Sequence, residues 1–410
     1  MRIALCHYPP PGGAGRALDQ LGRHLARRHT VVVYRLHEAA VRDYGTTRLP
    51  AGLPDEVVAY RSFRRRRFAL YLNDWGEYQA LMRVAAAWKT VAQRVDAGGY
   101  DVSLVSICRH SHAPAVLRYL QTPAAYFCHE PPRRLYEPWC RPGAAPQSPY
   151  VRLRQAWQRP ARALLDEAVR RSDARNVRAS TAVLTNSLYT ARRVRTVYQR
   201  EAEVSCLGVD PEMFHPVPGA SPVGRVISVG SLEAHKGFDF VIRALGRIPH
   251  QRRPLLTIVG ATGHPRMPAY LGQLAACLDV RLELFRGCTD EALAAHYRAS
   301  ALFLYGAHYE PFGLVALEAL ASGLPVVAVA EGGVTEAIED GHSGVLVPRD
   351  EARFADAVDA LLQDRERRLR WGQAARAAVL GRWTWDQAAD RMEAHLARLG
   401  GQPGAAAGAF

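Results

Sequence analysis

Lysine is almost missing from this 410-residue chain: of 53 basic side chains only Lys89 and Lys236 are lysines, the rest arginine. No apolar run approaches the ~20 residues a membrane-spanning helix needs. The opening MRIALCHYPPPGG lacks the apolar core of roughly 7–15 residues that marks a signal peptide, so a cytoplasmic location is expected. Seven cysteines (6, 108, 128, 140, 206, 277, 288) contain no C-x-x-C pair. That argues against a zinc ribbon or disulfide frame and for reduced thiols. Gly13-Ala14-Gly15 is not followed by glycine at position 18, so the dinucleotide fingerprint of a dehydrogenase is absent. No Asp-x-Asp pair sits in a strand-end loop, so no metal is expected.

What remains is an ordinary globular composition, 48% hydrophobic and 22% charged, in a chain long enough for two or three domains of about 150 residues. Its charge is lopsided. Residues 1–200 carry 33 basic and 14 acidic side chains, residues 201–410 carry 20 and 25. The total is +14, and the split suggests two bodies with different partners.

Periodicity supports this. Residues 2–8 read as a strand, 14–29 as a helix and 31–34 as a strand, a βαβ opening. Residues 61–95 and 151–180 read as basic helices, 101–107, 124–128 and 182–185 as strands, and 138–150 as a Pro/Gly loop. After the Pro/Gly-rich stretch 211–224 strands and helices alternate: strands at 225–230, 255–260, 280–285, 301–305, 325–328 and 344–347; helices at 238–245, 270–278, 290–299, 313–321 and 334–338. Two helices, 351–372 and 373–398, are expected to close the chain before a low-complexity tail. The pattern predicts an α/β protein with two doubly wound domains, 1–210 and 211–384. A helix over 385–398 is expected to return to the first domain, ahead of a disordered 399–410.

The strongest motif is Glu310-Pro-Phe-Gly-Leu-Val-Ala-Leu-Glu318. Glu310 falls in a strand-to-helix loop. The backbone N–H groups of Phe312, Gly313, Leu314 and Val315 open a helix whose positive end suits phosphate, and Glu318 is spaced to grip vicinal hydroxyls. A bare E-x7-E would read as two solvated helix glutamates; the flanking P-F-G-L and A-S-G-L-P and the strand–helix setting favour a site.

On these residues the chain resembles the family 4 glycosyltransferases, over about residues 1–398 and most closely over 205–350. The resemblance implies the GT-B fold, two facing Rossmann-like domains with a cleft between, and a retaining transfer from a nucleotide-diphosphate sugar that the E-x7-E segment binds. It implies that Lys236, in Val229-Gly-Ser-Leu-Glu-Ala-His-Lys236-Gly237, neutralises the donor diphosphate. Ser231 stands where the family usually has arginine, a departure that either weakens diphosphate binding or hands the second cation to another residue. Arg286 matches the position near the nucleotide base. Gly332-Gly333-x-x-Glu336 matches a loop near the donor sugar, or a tight turn with a helix cap. Asn186-Ser187-x-Tyr189-Thr190 and Gly208-Val209-Asp210-x-x-x-Phe214 match interdomain segments.

In the first half, Gly12-Gly13-Ala14-Gly15-Arg16 matches the family's glycine turn, with Gly13 toward the donor and Arg16 toward the acceptor. His129, in His129-Glu130-Pro131-Pro132-Arg133-Arg134, matches a histidine that reaches the reacting sugar. Arg133 or Arg134 is expected to bind an acceptor phosphate or to compensate for Ser231. The stretch resembles that of some mannosyltransferases of surface-polysaccharide synthesis, which favours GDP-mannose as donor and a glycan or lipid-linked glycan as acceptor. The run Arg64–Arg67 with Phe63, Phe68 and Tyr71, and twelve arginines over 152–200, fit a solvated face or docking on anionic lipid headgroups, making the protein peripheral to a membrane. No stacking pattern favours nucleic acid. The alternatives are a nucleotide-sugar epimerase of the same fold and a non-catalytic basic lipid- or nucleic-acid-binding protein. The latter explains the arginines but not the donor-site residues.

Overall fold

The computed structural model describes residues 1–9, 12–38, 53–61, 70–137, 149–217, 224–260 and 262–401, with backbone alone for 70–75 and 149–159. The chain divides into two compact units. One is Met1–Asn186 with Thr190–Ser205 and Ala389–Phe410; the other is Ser187–Tyr189 with Cys206–Ala388. No helix of the described residues is long and apolar enough to cross a membrane.

Among the described residues, the first unit holds seven strands: β1 (Arg2–Tyr8), β2 (Thr30–Glu38), β3 (Asp55–Tyr60), β4 (Val102–Cys108), β5 (Ala124–Cys128), β6 (Ala182–Thr185) and β7 (Glu203–Val204). All pairs are parallel, in the order β3-β2-β1-β4-β5-β6-β7. The central strands are apolar without alternation because helices cover both faces, and β4 is buried along its whole length. Helix α1 (Gly13–Ala26) forms because Leu18, Leu21 and Leu25 share one face, which is buried. The other helices are α2 (Leu70–Ala97), α3 (Arg133–Tyr136), α4 (Pro149–Arg178) and α5 (Leu188–Tyr198). Trp88, Val91 and Val95 of α2 pack in one core with Cys6, Tyr34 and Tyr126 from the sheet.

Among the described residues, the second unit holds six strands: β8 (Arg225–Val229), β9 (Leu255–Gly260), β10 (Leu282–Arg286), β11 (Leu302–Tyr305), β12 (Val326–Val329) and β13 (Gly344–Val347). They are parallel in the order β10-β9-β8-β11-β12-β13. The helices are α6 (Phe238–Arg247), α7 (Met267–Cys277), α8 (Asp290–Arg298), α9 (Leu314–Ala321), α10 (Glu351–Gln363) and α11 (Arg365–Arg382); α12 (Trp385–Gly400) starts in this unit and from Ala389 onward belongs to the first. Strand order reverses between β8 and β11, and in such sheets ligands bind beyond the carboxyl ends of the strands at the reversal. The loops that leave β8 and β11 contain Lys236 and Glu310.

Three expectations need correction. Strand β3 was not anticipated; it is a half-exposed edge whose Asp55 pairs with Arg35, and the adjoining arginine run obscures it. Helix α5 was not anticipated either, because its start is held by a residue far away in sequence. The two closing helices are three. Asp364 caps α11 by accepting the Arg367 N–H at 2.9 Å, which stops α10 at Gln363. Thr384, bridged to Val209, separates α11 from α12. Of the helix expected over 61–95, Leu70–Ala97 is described as α2, and residues 62–69 lie outside the described residues. The run Arg64–Arg67, most of the 138–150 loop and the end of the tail lie outside the described residues.

Asp173 of α4 is fully buried and ties the first unit together. It accepts the Ala113 N–H at 2.9 Å, the Tyr198 hydroxyl at 2.7 Å and the Tyr136 hydroxyl at 3.4 Å. Burial, opposed by these neutral donors, pushes its carboxyl up to about 7. The folded state therefore holds this proton more tightly than the unfolded chain does. The resulting stability is complete below the unfolded value near 4 and is lost as pH rises toward 7. Asp173→Asn is expected to flatten this decline: between pH 5 and 7.5 the wild-type melting temperature should fall further than the variant's. Parallel profiles would show that Asp173 does not titrate there.

Candidate functional site

Lys236 closes a 3₁₀ turn, Ala234–Lys236, after β8. Its Nζ donates to both carboxylate oxygens of Glu310 at 2.6 Å, and the two side chains are only 18% and 20% exposed. Backbone contacts bring their loops this close. Gly237 has φ +65° and lies so near Gly306 that a Cβ would meet the Gly306 carbonyl oxygen at 2.0 Å. The His308 N–H donates to the His235 carbonyl at 2.8 Å.

The Glu310 loop is held on a second side by the glycine pair before residue 334. A Cβ on Gly332 would come within 2.3 Å of the Glu310 carbonyl oxygen, and the Gly333 N–H donates to that oxygen at 2.7 Å. Tyr309, beside Glu310, takes a left-handed φ of 45°. Gly313, at φ +92°, is the N-cap of α9, so the helix starts at Leu314, one residue later than the expected 313–321. The first intrahelical bond runs from the Ala316 N–H to the Gly313 carbonyl. The amides of Gly313, Leu314 and Val315 precede it and provide the positive helix end. Phe312 is buried with its ring against Trp383, a packing role. Glu318 is buried too, and its Oε2 accepts the Tyr297 hydroxyl at 3.0 Å.

Other expected residues are placed less centrally. Ser231 is half-buried, and its carbonyl accepts the Glu233 N–H at 2.7 Å. Arg286 is exposed at the end of the edge strand β10. Glu336 accepts the Leu188 and Tyr189 N–H groups, both at 2.8 Å, and so caps α5. Sequence reasoning missed Arg349. Its guanidinium pairs with Glu331 at 2.7 and 2.9 Å and donates to the Gly306 and Ala307 carbonyls, each at 2.9 Å. An arginine in a turn after a strand gave no signal.

In the first unit, His129 follows β5 and is 7% exposed. Burial pushes its imidazole down to about 4, so it is neutral at pH 7, and Nε2 has no partner among the described residues. His7, also missed, lies near the end of β1 with both ring nitrogens unpartnered among the described residues. Burial, then the charge of Arg35, pushes it down to about 3. Gly13 and Arg16 are exposed at the start of α1. Arg133 pairs with Glu130 at 2.7 Å and Arg134 with Asp166 at 2.9 Å, so an acceptor phosphate would have to share either cation with a carboxylate. No group of three His, Cys, Asp or Glu side chains among the described residues is arranged to hold a metal ion.

Residues 11–213 match the model of Glycosyltransferase Family 4 and residues 219–378 that of Glycosyl transferases group 1. A D-inositol 3-phosphate glycosyltransferase of Stackebrandtia nassauensis is 34% identical over 236 residues, 52% of this chain and 53% of the relative. One of Xylanimonas cellulosilytica is 39% identical over 179 residues, 43% and 42% of the two chains. The chain thus spans about half the length of the curated relatives it matches. Among solved structures, sucrose-phosphate synthase from Thermosynechococcus elongatus covers 97% of this chain and 98% of its own at TM-score 0.71 and 21% identity. Anabaena HepE in complex with UDP-glucose covers 97% and 100% at TM-score 0.70 and 19% identity. Two parallel-sheet α/β units of this kind are the GT-B fold, and the chain belongs to the family 4 type of glycosyltransferases.

Proposed function

We propose that the protein transfers a hexosyl group from a nucleotide-diphosphate sugar to a hydroxyl acceptor with retention of configuration. The observation that carries this reading is the Lys236–Glu310 pair beside the amino end of α9. One ammonium and a set of helix amides converge where a diphosphate leaving group would develop charge. In the reaction Lys236 moves from Glu310 to the departing diphosphate, and Glu310 turns to the hydroxyls of the sugar. The acceptor hydroxyl attacks from the face the diphosphate leaves, and the diphosphate takes its proton. Glu318 acts on the ribose after exchanging its bond to Tyr297. Side chains and amides neutralise the charge here, so no metal is required.

The acceptor is assigned to the first unit, where His129 as a neutral imidazole can donate to a sugar hydroxyl. Arginines dominate this unit, and on α4 a groove of about 260 Å³ is lined by Arg170, Arg171, Ala174, Arg175 and Arg178. An anionic acceptor fits such a surface: a lipid-linked glycan at a membrane, or a phosphorylated polyol of the kind in the relatives' names. GDP-mannose is the favoured donor on the His129–Arg134 stretch. UDP-glucose, bound by HepE, is the comparison. Both are to be screened by thermal shift, since a ligand of the folded state raises the melting temperature.

Glu310→Gln should lower transfer at least ~100-fold while binding nucleoside diphosphate more tightly, because Lys236 loses its competing partner; unchanged transfer would refute the site. Lys236→Ala should weaken diphosphate binding about tenfold or more and affect the free nucleoside little; equal loss for both ligands would contradict the assignment. Transfer should persist in excess EDTA. Complete loss there, reversed by Mg²⁺ or Mn²⁺, would disprove metal independence.

A further inference from the structure

We infer that Arg349, acting with Glu331, is a positioning residue for Glu310. The inference rests on the proposed reading of Glu310 as a contact to the donor sugar. Arg349 follows β13, and its guanidinium spends four of its five N–H groups in one place. Nε and Nη2 form a two-pronged pair with Glu331. Nη1 and Nη2 hold the successive carbonyls of Gly306 and Ala307. Its Cζ lies 5.2 Å from the centre of the Phe240 ring, and both members of the ion pair are largely withdrawn from solvent.

The two things Arg349 joins are the two sides of the Glu310 loop. Gly306 and Ala307 are where the chain leaves β11 toward Glu310. Glu331 immediately precedes Gly332 and Gly333, whose backbone bears on the Glu310 carbonyl from the other side. Gly306 is also the residue against which Gly237, next to Lys236, is packed. One planar cation therefore fixes the spacing between the base of the loop, the glycine pair and the Lys236 turn. The loop needs such a brace. Tyr309 holds a backbone conformation that non-glycine residues avoid, and such conformations persist only where the surroundings over-determine them. A lysine could not substitute, because its single ammonium cannot make a planar fork and reach two carbonyls together.

The test uses the full chain with UDP-glucose or GDP-mannose, whichever raises the melting temperature, and follows release of the nucleoside diphosphate. Arg349→Ala and Glu331→Gln should each lower kcat about 10- to 100-fold, as small misplacements of a reacting group do. The Kd for UDP or GDP should stay within about threefold, since the phosphate-binding amides of α9 are untouched. The double variant should be no slower than the slower single variant. Arg349→Lys should not restore the rate, whereas added guanidinium ion should partly restore Arg349→Ala. The inference is overturned if both folded single variants keep kcat within about twofold of wild type, or if nucleotide affinity falls in step with kcat, the signature of general collapse. Should Arg349→Ala not fold, Glu331→Gln, which removes charge but little volume, decides by the same criteria. Glu310→Gln runs alongside: full activity there refutes the donor-site reading itself, a result distinct from a silent Arg349.

Discussion

An ammonium and a carboxylate 74 positions apart meet at 2.6 Å in a place that water reaches only partly. This contact governs how the second unit is built. At an effective dielectric of about 20, two unit charges 4 Å apart attract by about 4 kcal/mol, and the cost of withdrawing both from water offsets much of that. The pair is therefore better understood as a geometric device than as a source of stability. Its two loops meet only because glycine stands at 237 and 306 on one side and at 332 and 333 on the other, where side chains would collide with backbone. The strand reversal between β8 and β11 supplies the location, and the glycines supply the closeness. On the proposed reading, an anion that draws Lys236 away would release Glu310 in the same movement, which would make diphosphate binding and the freeing of a sugar contact one event.

How much of this was legible in the sequence follows from how local each signal is. The alternation of apolar strands and amphipathic helices over 225–347 is local, and the structure repeats it nearly element for element. The P-F-G-L turn at 311–314 announced a helix start, although Gly313 in a left-handed conformation moves that start to Leu314. What stayed hidden depends on distant partners. Nothing near Leu188 says that Glu336 will cap a helix there, and nothing near Arg349 says that it will gather Glu331 and two carbonyls from β11. The pairing of Lys236 with Glu310 was also hidden: each residue carries a functional reading alone, and only the fold shows that they neutralise each other. His7 sits in a strand, RIALCHY, that reads as buried, and the lack of partners for its ring nitrogens among the described residues emerges only in three dimensions.

The arginine excess of the first half takes on a more differentiated meaning. Part of it is internal wiring: Arg35 with Asp55, Arg133 with Glu130, Arg134 with Asp166, Arg162 with Glu77 and Arg193 with Glu137. Another part stands outward along α4, where Arg175 and Arg178 sit in its last turns, favoured there by the negative end of the helix. Beneath this charged exterior the carboxyl ends of β1 and β5 carry two histidines that burial keeps neutral. A neutral imidazole both donates and accepts, which suits hydroxyl groups, while exposed guanidinium groups suit phosphate.

The central claim is that Lys236 exchanges Glu310 for the donor's diphosphate, and a crystal structure with UDP or GDP bound tests it most directly. The account predicts the β-phosphate at the amino end of α9 within hydrogen-bonding distance of Lys236 Nζ, with the Glu310 carboxylate no longer paired to it. A nucleotide bound elsewhere, or bound there with the Lys236–Glu310 pair still closed at 2.6 Å, would contradict it.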